Sequence, residues 1–318
     1  MSLIPTETTP KPGRRHGLIT DENRRWWTLG AMCFALFMIM LDNTVVNVAL
    51  PSIQRDLDVP ISGLEWTVNA YTLTFAVLLV TGGRLGDIFG RRRMFLFGVI
   101  VFGLSSAFIA LSQTDTWLIT GRALQGVGAA FMMPATLSII TQAFPPEERG
   151  KAIGTWAGAS AVALALGPVL GGFLVEHVSW QSIFLINVPV AIAAVVVTLW
   201  ATKESRDESA PRTVDYWGVI TITLGLGALV LALVEGNQWG WDSPRILGLF
   251  AIAVAGLLFA WLNKRTDKQY DAQLLKLTVE TERCAEDRVQ IRKDHEAGMA
   301  ECREDRERTR SQLHRGSA

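Results

Sequence analysis

The chain has 318 residues, 49% of them hydrophobic, and its 30 basic and 30 acidic side chains cancel. With a positive mean hydropathy, that share is high for a chain that folds in water, and the zero balance argues against nucleic-acid binding. The three cysteines, Cys33, Cys284 and Cys302, lack metal-ligand spacing, and no phosphate loop or nucleophile–base pair stands out, so no enzyme, metal or cofactor is expected.

A bilayer-spanning helix needs roughly 20 mostly apolar residues. A polar arm, residues 1–25, is too long for a cleavable signal and leads into a first apolar stretch at about Trp27–Leu50. Further stretches follow at about Leu64–Arg84, Met94–Leu111, Trp117–Ala143, Ala152–Val175 and Ile183–Ala201. Residues 202–263 hold a linker and two more stretches, Tyr216–Val234 and Ile246–Leu262. All eight are predicted to be helical, because lipid cannot satisfy open backbone groups. The expectation is an all-α integral membrane protein with a six-helix unit at 26–201, two additional transmembrane helices, and a charged tail at 264–318.

Lys and Arg orient the spans. They crowd the arm (Lys11, Arg14, Arg15, Arg24, Arg25), the second-to-third loop (Arg84, Arg91, Arg92, Arg93), Arg149 and Lys151, and the linker (Lys203, Arg206, Arg212). The opposite connections Gln54–Glu65, Ser112–Thr116 and Glu176–Gln181 carry only Arg55. Both termini are therefore expected on the cytoplasmic side of the cell membrane, with the thiols reduced and unpaired. The tail is charge-dense and too poor in apolar residues for a coiled-coil seam. It reads as a solvated helix or disorder, with partner binding as the alternative.

Five connections and helix segments carry motifs. Gly83-Arg84-Leu85-Gly86-Asp87-Ile88-Phe89-Gly90-Arg91-Arg92-Arg93 resembles the loop between the second and third helices of the major facilitator superfamily. Leu41-Asp42-Asn43-Thr44-Val45-Val46-Asn47-Val48-Ala49-Leu50-Pro51 resembles the first-helix signature of its fourteen-helix drug:proton antiporter branch. Gly121 to Ala129, containing Arg122, Gln125 and Gly126, is similar to the fourth-helix motif. Gly167-Pro168-Val169-Leu170-Gly171-Gly172 is similar to the fifth-helix antiporter motif, and Ile183 to Pro189 to the start of the sixth helix. Ala163 stands where the antiporter motif often begins with Gly, and Gln181-Ser182 where the branch usually has Arg-Trp. The resemblance covers Arg24–Leu262 and implies the amino-terminal six helices and the two extra ones, with the second transporter half expected to be absent.

It implies proton-driven export of small lipophilic or cationic compounds. Asp42, an acid in mid-span, is costly there and so a candidate for proton exchange. The structural alternative is pairing with Asn43, Asn47 or backbone to fix helix contacts. Arg122 keeps its charge at physiological pH and would tune that exchange; the alternative is snorkelling toward the headgroups. Gating falls to Gly83, Asp87, Gly90, Arg91 and Arg92 at the basic loop and to Gly167, Pro168, Gly171 and Gly172 in the fifth helix. Pro168 removes a helical hydrogen bond, and Gly154, Gly158, Gly167 and Gly171 offer small contact surfaces. The resemblance gives Asp87 a latch partner on a helix of the second half, a partner not found in this chain. Asn47, Asn69 and Gln125, with Trp66, Tyr71 and Met133 near them, are candidates for the substrate pathway. Expected partners are the substrate, protons, the lipid bilayer, and a second copy or a second-half chain completing the pathway. The rival reading is an inactive transporter fragment, or a membrane interaction protein acting through its tail.

Overall fold

The computed structural model describes residues 23–206 and 216–262. The arm before Asn23, part of the linker and the tail, including Cys284 and Cys302, lie outside the described residues. The described chain is helical without strands: α1 (Arg24–Leu57), α2 (Ile61–Phe89), α3 (Arg91–Ala110), α4 (Asp115–Ala143), α5 (Pro146–His177), the short α6 (Ser182–Leu185), α7 (Asn187–Ala201), α8 (Tyr216–Trp239) and α9 (Pro244–Leu262). Eight helical spans are long and apolar enough to cross a membrane, α6 and α7 together making the sixth.

The helices overrun the apolar stretches because local chemistry, not hydropathy, ends them. Asp58 at φ 48° closes α1, its N–H bonded to the Gln54 carbonyl; Asp tolerates this left-handed backbone. The Thr114 hydroxyl caps α4 by accepting from Trp117 N at 3.3 Å. Pro146 opens α5, with Glu147 and Glu148 in its first turn, where a ready-set φ and negative charge both suit a helix start. The sixth span, Ser182–Ala201, loses one helical hydrogen bond, because Pro189 has no N–H to bond the Leu185 carbonyl; the backbone at Ile186 stays helical at φ −61°, ψ −26°, and Asn187 opens α7.

Residues through Leu257 form one compact unit; the second, Leu258–Ala318, is described only as far as Leu262. Within the first, α4 packs on α2 and α3, α1 packs on α5 and α7, and α8 leans on α2. Close approach is bought with missing side chains: a Cβ on Gly128 would lie 2.7 Å from Phe102 N, and one on Gly98 2.7 Å from the Gly128 carbonyl, so α3 and α4 touch backbone to backbone. Two apolar clusters fill the interior. One includes Met32, Ile39, Phe95, Val99 and Ile140; the other includes Val45, Ile53, Ile109, Leu118 and Phe184. Along α1 the first reaches Ile39 and the second resumes at Leu41, which puts Asp42 near their junction. The outer faces carry large apolar side chains such as Phe34, Leu104, Val169 and Trp200. The exposure is extensive and follows from lipid as the surrounding solvent.

Candidate functional site

Near the junction of the two clusters sits a closed polar network. Asp42 of α1 is 3% exposed, Arg122 of α4 is 1% exposed, and Gln125 and Ser106 are wholly buried. Arg122 Nη1 donates to Asp42 Oδ2 at 2.6 Å and to Gln125 Oε1 at 2.6 Å. Its Nε donates to the Thr67 carbonyl of α2 at 3.1 Å. Gln125 Nε2 donates to Asp42 Oδ1 at 2.9 Å and to Ser106 Oγ of α3 at 2.8 Å. Asn187 Nδ2 of α7 donates to Asp42 Oδ1 at 3.2 Å, and Ser106 Oγ donates to the Phe102 carbonyl at 2.8 Å. The guanidinium carbon lies 4.3 Å from the centre of the Tyr71 ring, within the range of cation–π attraction.

Each member is delivered by its helix. Arg122 and Gln125 stand three residues apart and so share one face of α4. Asn187 reaches inward from the first turn of α7. Five helices thus meet at one carboxylate and one guanidinium whose charges cancel, the condition under which a buried ion pair is tolerable.

Every partner of Asp42 is an N–H donor. Protonation would turn one carboxyl oxygen into a donor facing donors, and would leave Arg122 as an uncompensated buried cation. The contacts that join α1, α4 and α7 at this point thus rely on Asp42 as an acceptor.

The partners differ from those named in the structural alternatives for the two charged residues. Asn43 donates to the Ile39 carbonyl and Asn47 to the Asn43 carbonyl, not to Asp42. Arg122 is enclosed by protein instead of reaching toward headgroups. Gln125 belongs to the network, not to a cavity wall. Asn69 lines a cavity of about 530 Å³ with Glu65, Val68 and Gln238, across which Gln238 bonds Glu65. Asn47 is exposed on α1. Tyr71 is buried beneath Arg122, and Met133 packs against the first cluster. Cys33 is unpaired.

At the basic loop, Asp87 accepts from Arg91 Nη2 at 2.9 Å and Nε at 3.1 Å. The turn at Gly90 has φ +114°, and a Cβ there would sit 2.6 Å from Glu204 Oε1. That glycine lets the segment after α7 lie on the start of α3. Glu204 Oε1 accepts from Arg92 N at 3.1 Å, Glu204 Oε2 lies 3.6 Å from Arg93 Nε, Arg91 N donates to the Ser205 carbonyl at 2.8 Å, and Arg92 Nη2 donates to the Leu199 carbonyl. Residues 199–205 thus engage the start of α3, while Asp87 accepts from Arg91 alone among the described residues. Gly83 faces Pro134 of α4.

In α5 the helix runs unbroken through Pro168. Gly167 meets Thr44 of α1 so closely that any Cβ would overlap its hydroxyl, and Gly171 meets Val45. A Cβ at Gly154, Gly158 or Gly172 would meet nothing within 4 Å among the described residues, so the small-residue contact there is narrower than the spacing predicts. Sequence reasoning missed Ser106, Asn187, Thr67 and Glu204. Ser106 and Asn187 had a usable signal, a polar side chain inside an apolar span; a backbone carbonyl such as Thr67 has none.

A family model described as Major Facilitator Superfamily matches residues 32–271. The chain is 40% identical over 260 residues to the tetracenomycin C resistance and export protein of Streptomyces glaucescens, covering 82% of this chain and 47% of that protein. It is 41% identical over 241 residues to the multidrug resistance protein Stp of Mycobacterium tuberculosis (strain CDC 1551 / Oshkosh), covering 75% and 45%. It is 38% identical over 267 residues to the puromycin resistance protein pur8 of Streptomyces alboniger, covering 83% and 51%. The chain therefore spans about half the length of the curated relatives it matches. The crystal structure of the POT family transporter PepTSo superimposes with a TM-score of 0.52 at 15% identity, over 77% of this chain and 54% of that one, a likeness of fold alone.

Proposed function

The chain belongs to the major facilitator superfamily, and we propose that its membrane bundle serves proton-coupled export of a small lipophilic or cationic compound, with Asp42 taking up and releasing the proton. The observation that carries this reading is the donor-only shell around a buried, charge-balanced Asp42. Such a shell makes protonation and helix contacts interdependent, which is what a coupled transporter requires. Arg122 tunes the exchange without titrating. When Asp42 is neutral, the Thr67 carbonyl, Gln125 Oε1 and the Tyr71 ring are the groups left to hold the guanidinium. The printed names of the relatives, resistance and export proteins, favour drug-like cargo.

The conformational parts in this reading are Gly83, Asp87, Gly90, Arg91 and Arg92 at the basic loop, and Gly167, Pro168, Gly171 and Gly172 in α5, where α5 bears on α1 beside Asp42. The excess of Lys and Arg at the end where α1 begins favours a cytoplasmic position for that end. Six helices supply one wall of a pathway that works by rocking two bundles against each other; a second copy or a further segment supplies the other.

The test is efflux of a fluorescent lipophilic cation from proteoliposomes of the full chain under an imposed pH gradient, beside Asp42→Asn. Gradient-driven efflux that falls at least tenfold in the variant is expected. Equal efflux by both, or none from correctly inserted wild-type protein, sinks the proposal.

A further inference from the structure

The basic end of the bundle holds a cavity of about 520 Å³, separate from the Asp42 network, between the first turn of α1, the last turn of α4 and the segment after α7. Arg25 and Lys203 line it with Glu204 and Thr202. Glu204 is already committed to the start of α3 through Arg92 N and Arg93. Arg25 is held in place by Glu148 at 2.9 Å and by the ring of Phe144, 5.8 Å from its guanidinium carbon, yet its Nε is buried with no hydrogen-bond partner. Thr202, another lining residue, is 5% exposed, and its Oγ1 is likewise buried with no partner. Buried donors in a folded protein are normally matched.

Guanidinium, ammonium and hydroxyl donors converging on one cavity are the set that recognises a phosphate. Its depth is marked by Trp26 and Trp27, which project from the same turn of α1 at 42% and 43% exposure, in the manner of residues at the headgroup level. We propose that this cavity binds a phosphate-bearing anion, supplied by the headgroup of an anionic membrane phospholipid. The site does not depend on proton coupling and stands if that reading fails.

The experiment purifies the full chain from vesicles of mixed phosphatidylcholine and phosphatidylglycerol and measures retained lipid by mass spectrometry. Phosphatidylglycerol is expected to be enriched over its bulk share. Enrichment should fall about tenfold or more in Arg25→Gln/Lys203→Gln and persist in the charge-keeping Arg25→Lys/Lys203→Arg. Thr202→Val, which removes no charge, should lower it several-fold and serves if the double variant does not fold. Arg84→Gln, exposed on α2 and outside the cavity, should leave it unchanged. No enrichment in the wild type, or an equal loss from Arg84→Gln, overturns the site. Inorganic phosphate bound by the cavity while phosphatidylglycerol is not enriched overturns the membrane source and assigns the cavity to a soluble phosphate.

Discussion

Two aspartate–arginine pairs stand in this molecule. Asp42–Arg122 joins α1 to α4 across 80 residues of sequence, with both side chains 1% exposed and 2.6 Å between N and O. Asp87–Arg91 spans the α2–α3 turn at i,i+4, with side chains 32% and 19% exposed and 2.9 Å between them. The charges and distances are alike; the surroundings are not. Asp42 has further donors on Gln125 and Asn187, and Arg122 further acceptors on Thr67 and Gln125. Asp87 accepts from Arg91 alone among the described residues, with water at hand. A buried pair owes its strength to what breaking it would strand, whereas a half-exposed pair trades its partner for solvent at little cost.

The sharpest way to break the contrast is Arg122→Ala. It strands the Asp42 carboxylate among apolar side chains with two amide donors left, at a cost of about 3–5 kcal/mol, seen as a marked fall in thermal stability in detergent micelles. Arg122→Lys should recover only part of this, because an ammonium cannot reach Thr67, Asp42 and Gln125 together in one plane. An Arg122→Ala protein as stable as the wild type would show that the pair is not closed from water.

Gly90→Ala probes the other end and should be milder. The methyl group must adopt a left-handed backbone at φ +114° and displace Glu204 from the start of α3, at about 2 kcal/mol. Loss of the Arg92–Glu204 contact can be read as faster amide exchange in the first turn of α3. Unchanged exchange and stability would mean that residues 199–205 are not seated there.

How much of this was legible beforehand differs between the two regions for a physical reason. The eight spans, Asp42, Arg122 and the basic loop are all visible in sequence, because hydropathy and in-span charge are one-dimensional signals. That Arg122 reaches Asp42 instead of the headgroups is not, since it depends on how α1 and α4 pack. The role of Asn187 depends on which face of the sixth span turns toward α1, which the sequence does not state. Glu204 sits in a charged linker where nothing distinguishes it from its neighbours, and only the fold brings it across to Gly90. The small-residue pattern of α5 overstated the contact, because spacing cannot say which glycines face α1 and which face away from it.

The smallest expected effect comes from Asp87→Ala. An i,i+4 pair with this much solvent access contributes about 0.3–0.5 kcal/mol, and added salt should erase most of it, since mobile ions screen exposed charges over about a Debye length. The same salt series on Arg122→Ala should leave its larger deficit nearly untouched, because ions do not enter the network. Thermal midpoints of both variants at low and high ionic strength therefore separate the two pairs by a criterion other than size. If the Asp87→Ala deficit survives high salt, the loop carboxylate is shielded by something that the described residues do not supply. If the Arg122→Ala deficit collapses with salt, water and ions reach Asp42, and the closed network would be only one of the states the bundle visits.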